Sequence, residues 1–154
     1  MTAIKSSMIS PCLWFDNHAE EAIRFYISIF PQSRIVQLHP VLSTFVLDGM
    51  KIRALNGGPE FPFTPAVSLF VECKHQRDID YYWESLLASG GQPKRCGWLK
   101  DRFGMNWQVV PEVLGDMMSD PDHQKSQRVH QALVGMEKLE IQGLIQAFQG
   151  VGMR

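Results

Sequence analysis

The sequence predicts an α+β protein in which a strand–helix–three-strand unit occurs twice and a helical tail follows. Three observations carry this. The order of elements read up to residue 56 restarts after residue 66. The two runs match at one offset, Leu13-Trp14-Phe15-Asp16 with Leu69-Phe70-Val71-Glu72, and Ile23, Phe25 and Tyr26 with Ile79, Tyr81 and Tyr82, as a duplicated unit would. Between them lies Asn56-Gly57-Gly58-Pro59-Glu60-Phe61-Pro62-Phe63-Thr64-Pro65, whose Gly and Pro density breaks any regular element. The organisation expected is a βαβββ module at 8–56, a second at 66–111 and a helical extension at 112–149, in one globular domain overall.

Met8 to Phe15 reads as a strand, with Pro11 marking an edge or a bulge. Asp16-Asn17 offers a helix cap, and Glu20 and Glu21 suit the first turn. Ala22, Ile23, Phe25, Tyr26, Ile29 and Phe30 give that helix an apolar face, and Pro31 stops it. Ser33–Leu38, Leu42–Leu47 and Met50–Leu55 are the next strands, the last two joined by Asp48-Gly49, a two-residue hairpin signal. In the second half, Ala66–Cys73 is a strand. Arg77–Ser89 is a helix with Ile79, Tyr82, Trp83, Leu86 and Leu87 inward, ended by Gly90-Gly91. Pro93–Leu99 and Asn106–Pro111 complete the module. The tail turns helical from Val113. Ser126–Lys138 aligns Val129, Leu133 and Met136, and Leu139, Ile141, Leu144, Ile145 and Phe148 form a second apolar set. Two amphipathic helices must cover something, either the chain's own sheet or a subunit interface.

Composition excludes several classes. The formal net charge is -1 and Lys and Arg are scattered, so no basic stripe exists to hold nucleic acid. No apolar run approaches the roughly 20 residues of a membrane span, and the N-terminus lacks a signal-peptide core, so a cytoplasmic protein is expected. Cys12, Cys73 and Cys96 have no metal-ligand spacing and read as buried, reduced thiols. His18, His39, His75, His123 and His130 fall at helix starts, in a turn and in the tail, where capping or solvated roles account for them.

The most informative stretch runs from Cys96 to Gln108. It reads as a strand, a polar-glycine turn and a second strand, and it carries Trp98, Trp107, Asn106, Gln108 and Asp101. Large aromatics with uncharged polar groups suit the wall of a small-molecule pocket. Asp101, in the turn, is either a turn-former or a weak candidate for ligand contact or proton transfer. Arg53, mid-strand after Lys51 and among apolar neighbours, faces solvent, pairs with an acid at an interface or faces a bound anion.

These residues, together with Pro11-Cys12-Leu13-Trp14-Phe15-Asp16, Glu20-Glu21-Ala22 with Phe25-Tyr26, and Ala54-Leu55-Asn56-Gly57-Gly58-Pro59, resemble the vicinal oxygen chelate superfamily of glyoxalase I, bleomycin and fosfomycin resistance proteins and extradiol dioxygenases. Within it the chain looks like the PhnB-like branch labelled 3-demethylubiquinone 3-methyltransferase-like. The resemblance implies that the two modules form a curved mixed sheet whose open cup holds a ligand, lined here by Asn56, Ser68, Trp98, Asn106 and Gln108. It also implies a homodimer. Metal-dependent members take His and Glu ligands from the first and fourth strands of each module. The corresponding positions here fall on Pro11, near Ile52, on Ala66 or Val67, and on Gln108, a set that cannot hold an ion. No metal and no cofactor are expected. The methyltransferase label lacks a sequence basis, because Gly57-Gly58 runs into Pro59 rather than a helix.

Three functions follow. The first is a metal-free small-molecule-binding protein with no reaction identified. The second is a transferase, isomerase or lyase acting on a small carbonyl or phenolic compound, through Asp101 or a metal that the ligand brings. The third is a scaffold whose tail binds a protein partner.

Overall fold

The computed structural model describes residues 7–150. Two units meet in sequence at Phe63 and Thr64, and each is described by itself. No helix among the described residues is long and apolar enough to cross a membrane.

The first unit runs β1 (Cys12–Phe15), α1 (Ala19–Ile29), β2 (Arg34–Gln37), β3 (Leu42–Leu47) and β4 (Met50–Asn56). Its sheet has the order β1-β4-β3-β2, with β1 parallel to β4 and the other pairs antiparallel. β1 starts at Cys12 rather than Met8. Pro11 has no N–H for the ladder, and its carbonyl accepts the Arg53 N–H at 2.9 Å. The β3–β4 turn has φ of 48° at Asp48 and 81° at Gly49, the positive pair that a type I′ hairpin needs. Alternation sends Leu13, Phe15, Phe45, Leu47, Ile52 and Ala54 to the buried face, which α1 covers with Ala22, Ile23 and Tyr26. Lys51, Arg53, Leu55, Thr44 and Trp14 take the other face.

α1 is not capped by Asp16 or Asn17. It begins at Ala19 behind His18, and neither residue at its mouth supplies a side-chain acceptor. The Ala19 N–H donates instead to Asn56 Oδ1 at 2.9 Å. The pairing of Phe15 with Asn56 brings that amide to the helix start, so the cap comes from the far end of the module.

The second unit repeats the plan with β5 (Leu69–Cys73), α2 (Gln76–Leu87), β6 (Gln92–Pro93), β7 (Trp98–Lys100) and β8 (Asn106–Pro111). Its order β5-β8-β7-β6, with β5 parallel to β8, is the topology of the first sheet. Leu99, Trp107 and Val109 lie fully buried on one face, together with Ile79, Trp83 and Leu86 of α2. α2 ends at Leu87, before the expected Ser89, because Ser89 and Gly90 adopt φ of 65° and 118°. The strand expected over 93–99 is broken into β6 and β7. Cys96 and Gly97 between them hold φ of 63° and 81°, which no ladder accommodates.

The tail has three helices, α3 (Glu112–Met118), α4 (His123–Val134) and α5 (Ile141–Gln149). α4 stops at Val134 instead of Lys138, since Gly135 closes it with a 3.2 Å bond to the Ala132 carbonyl. Its start is fixed by Asp122, whose Oδ1 accepts the Gln124 N–H at 3.0 Å. Met117, Val129 and Leu144 form the core of this bundle. Arg128 donates from Nε and Nη2 to the Ala147 and Phe148 carbonyls at 2.9 and 2.8 Å, closing the end of α5.

The linker between α4 and α5 is held within the second unit. Cys96 and Gly97 donate their N–H groups to the Met136 and Glu137 carbonyls. Leu139 is fully buried, and Gln76 grips both sides of it, donating to the Leu139 carbonyl and accepting the Ile141 N–H. Lys138 Nζ pairs with Asp80 Oδ1 at 2.8 Å. That contact holds the Asp80 carboxyl below its ordinary range, with help from Gln76, and raises the Lys138 ammonium.

The cysteines differ from the uniform burial expected. Cys12 is exposed at the start of β1, Cys96 is half-buried in its turn and only Cys73 is buried. Burial, with the Asp78 and Glu112 carboxylates nearby, pushes the Cys73 thiol from its ordinary 9.0 up to about 11. Between those values the unfolded chain's thiol ionises while the folded one stays neutral, so stability falls as pH rises through the window. Urea midpoints measured from pH 9.0 to about 11 should therefore fall more steeply for the wild type than for Cys73→Ala. Equal slopes would show that Cys73 contributes nothing there.

Candidate functional site

The second sheet has one face covered by α2 and one that is not. On the uncovered face the register aligns Phe70 of β5, Gln108 of β8 and Trp98 of β7 in a single row. Gln108 is fixed by its Nε2, which donates to Ser68 Oγ at 3.0 Å. Among the described residues its Oε1 receives no donor, and the Trp98 indole N–H meets no acceptor. Phe70 is 55% exposed and Trp98 half-buried. The row thus offers two aromatic surfaces with one acceptor and one donor between them.

Ser68, Trp98 and Gln108 therefore come together as a group. Asn106 sits on the same strand as Gln108 and on the same side, buried at the first position of β8 opposite Lys100. Asn56 belongs to the first unit, where it lines a polar cavity of about 520 Å³ with His18, His39 and Ser43. Its amide is already committed: Oδ1 caps α1, and Nδ2 donates to the Pro40 carbonyl at 3.0 Å. Phe70 escaped the sequence reading as a site residue. Its signal was available, because it shares strand parity with Ser68.

Asp101 is 3% exposed. Its Oδ1 accepts the Phe103 and Met105 N–H groups at 2.8 and 3.0 Å, and its Oδ2 accepts the Trp107 indole N–H at 2.9 Å. The carboxylate closes the β7–β8 turn and anchors Trp107, which is core rather than pocket wall.

The donor chemistry fits neither group that the resemblance implies. Among the described residues, no three His, Cys, Asp or Glu side chains converge. Ile52 lies fully buried on the α1 side of its sheet, and the opposite face of β4 presents Lys51, Arg53 and Leu55, two of them cations. For S-adenosylmethionine, the sheets have a single parallel pair each, and Gly57 packs so closely on the Trp14 ring that even a methyl group there would collide. Gly57-Gly58 serves that contact, with the Trp14 indole donating to the Gly58 carbonyl at 2.9 Å, and cradles no nucleotide.

Comparison with known proteins matches residues 7–110 to the family model described as 3-demethylubiquinone-9 3-methyltransferase. A PhnB protein from Bacillus cereus with the same methyltransferase designation is 30% identical, covering 68% of this chain and 99% of that one, with a TM-score of 0.63. The protein PA1353 from Pseudomonas aeruginosa is 20% identical over 70% of this chain and 98% of its own, with a TM-score of 0.55. The fosfomycin resistance protein FosX from Listeria monocytogenes, solved with Mn(II) and sulfate, is 15% identical over 68% of this chain and 88% of its own, with a TM-score of 0.51, a likeness of fold alone. Comparison with the curated proteins gives no match. The chain belongs to the 3-demethylubiquinone-9 3-methyltransferase-like, PhnB-like family of glyoxalase/bleomycin resistance-fold proteins.

Proposed function

We propose that this protein binds a small, planar organic molecule, without a metal of its own, on the uncovered face of the second sheet. The observation that carries the reading is the Phe70–Gln108–Trp98 row. Gln108 is oriented by Ser68 rather than left to rotate, so its Oε1 is preorganised as an acceptor beside two aromatic surfaces. Trp98 stacks the ligand and offers its indole N–H, while Gln108 reads a donor on the ligand's edge. Asn106 lines the same face. The homodimer that the resemblance implies belongs to this reading and is checked by sedimentation.

A thermal-shift screen against metabolites tests it. Hits are expected to bind Gln108→Ala about tenfold more weakly, the loss of one well-placed hydrogen bond. Trp98→Ala should abolish them. Ligand-free Gln108→Ala should melt close to the wild type, because its amide bonds only a half-buried serine. Hits indifferent to both substitutions would overturn the site. Stoichiometric metal in elemental analysis of the purified protein would overturn the metal-free part.

A further inference from the structure

The first sheet also has a face that its helix does not cover, and it differs in charge. Arg53 lies in the middle of β4, half-buried, with Cys12 and Thr44 beside it in the same rung. Lys51, also half-buried, follows on the same face about 7 Å along the strand. The unit's ion pairs, His18–Glu21 and Arg24–Glu20, lie on the far side along α1. Among the described residues neither Arg53 nor Lys51 meets a carboxylate, so their charged ends are open to solvent or to a ligand. Arg53 is nevertheless held in place: its Nη1 donates to Thr44 Oγ1 at 3.1 Å. One N–H of the guanidinium is used for orientation, and the rest of the fork remains for a ligand. The next rung of the same face, about 7 Å along β4, holds Leu42, Leu55 and Trp14, the last with its ring fixed by the bond to Gly58.

We propose that this face is a binding site for a small organic anion, a carboxylate or phosphonate carried on an apolar body, with Arg53 as its fork and Lys51 as a second charge. Carboxylate and tetrahedral oxyanions both match the planar guanidinium through two parallel N–H···O bonds. The apolar residues beside it seat the rest of the molecule. The row on the second sheet carries no cation and recognises a neutral edge, so the two faces differ in the chemistry they select.

Benzoate is the probe, and benzamide its neutral counterpart of the same shape. Calorimetric titration of the full chain should show benzoate binding, weakening as salt is raised, and benzamide binding at least tenfold more weakly. Arg53→Gln should reduce benzoate affinity at least tenfold, and Arg53→Lys, which keeps charge but not the fork, by an intermediate factor. Should Arg53→Gln fail to fold, Lys51→Gln carries the test with a severalfold loss. No benzoate binding by the wild type at about 50 mM, well above a millimolar dissociation constant, overturns the proposal. Equal affinity for the two probes, or indifference to the Arg53 and Lys51 substitutions, overturns it as well. Benzoate binding lost in Gln108→Ala but kept in Arg53→Gln would sink this inference while supporting the site on the second sheet.

Discussion

Asp101→Ala should lower the unfolding free energy by about 3 kcal/mol, making it among the most damaging single substitutions in the chain. The carboxylate is buried and accepts three N–H bonds, two from the backbone of its own turn and one from the Trp107 indole. Truncation to Ala leaves all three donors facing a void. The Met105 and Trp107 donors are buried and have no access to water, and each such orphan costs about 1–3 kcal/mol. Asp101→Asn keeps the size but turns an NH2 group towards at least one donor, so it should cost nearly as much. Trp107→Phe removes only one of the three bonds and should cost less than either. Urea denaturation followed by tryptophan fluorescence gives all three numbers. The same series decides between the two roles that the sequence allows for this residue. A proton carrier replaced by Asn keeps its stability. A turn anchor loses it. A loss below about 0.5 kcal/mol for Asp101→Ala would contradict the anchoring role, since surface substitutions usually fall within that range.

What could be read from the chain was what local chemistry enforces. The β3–β4 hairpin falls where Asp48-Gly49 puts it, because two consecutive positive φ values leave little choice of residues. β8 has the expected bounds, and Trp107 and Gln108 take opposite sides because a strand alternates. What could not be read depends on partners distant in sequence. The α1 cap comes from Asn56, 37 residues downstream, so Asp16 and Asn17 were reasonable but mistaken candidates. Asn56 lines a cavity of the first unit, but that its Oδ1 caps α1 and its Nδ2 holds the Pro40 carbonyl shows only in the folded chain. That Gln108 bonds Ser68, 40 residues away, follows only from the parallel pairing of β5 with β8. The break between β6 and β7 has the same character. Nothing in Arg95-Cys96-Gly97-Trp98 alone announces that the Cys96 and Gly97 N–H groups are taken by the tail.

That break is where a second large effect is expected. Gly97→Ala should destabilise the protein by about 3 kcal/mol and loosen the α4–α5 linker. Gly97 has φ of 81°, a conformation that a Cβ disfavours. A Cβ at this position would stand 2.8 Å from the Val109 carbonyl oxygen and 3.0 Å from Leu139 Cδ1. The first is backbone of a central strand and does not yield. The second is a fully buried side chain that holds the linker down. Relief therefore comes by moving residues 96–97 away from β8, which stretches the 2.8 Å bond from the Val109 N–H to the Gly97 carbonyl, or by displacing Leu139. Displacing Leu139 also strains the bonds from the Cys96 and Gly97 amides to the Met136 and Glu137 carbonyls, at 2.8 and 2.9 Å. Gln76→Ala attacks the same linker from the α2 side, removing a donor to the Leu139 carbonyl and a 2.7 Å acceptor for the Ile141 N–H, and should cost about 2 kcal/mol. Because both substitutions release one segment, the double variant should lose less than the sum of the two, a departure from additivity of at least about 0.5 kcal/mol. Amide exchange at Cys96, Gly97 and Ile141 should accelerate in both single variants, while exchange in β3 and β4 of the first unit keeps its wild-type ranking. Wild-type stability in Gly97→Ala, or strict additivity with Gln76→Ala, would mean that the linker is not a shared clasp.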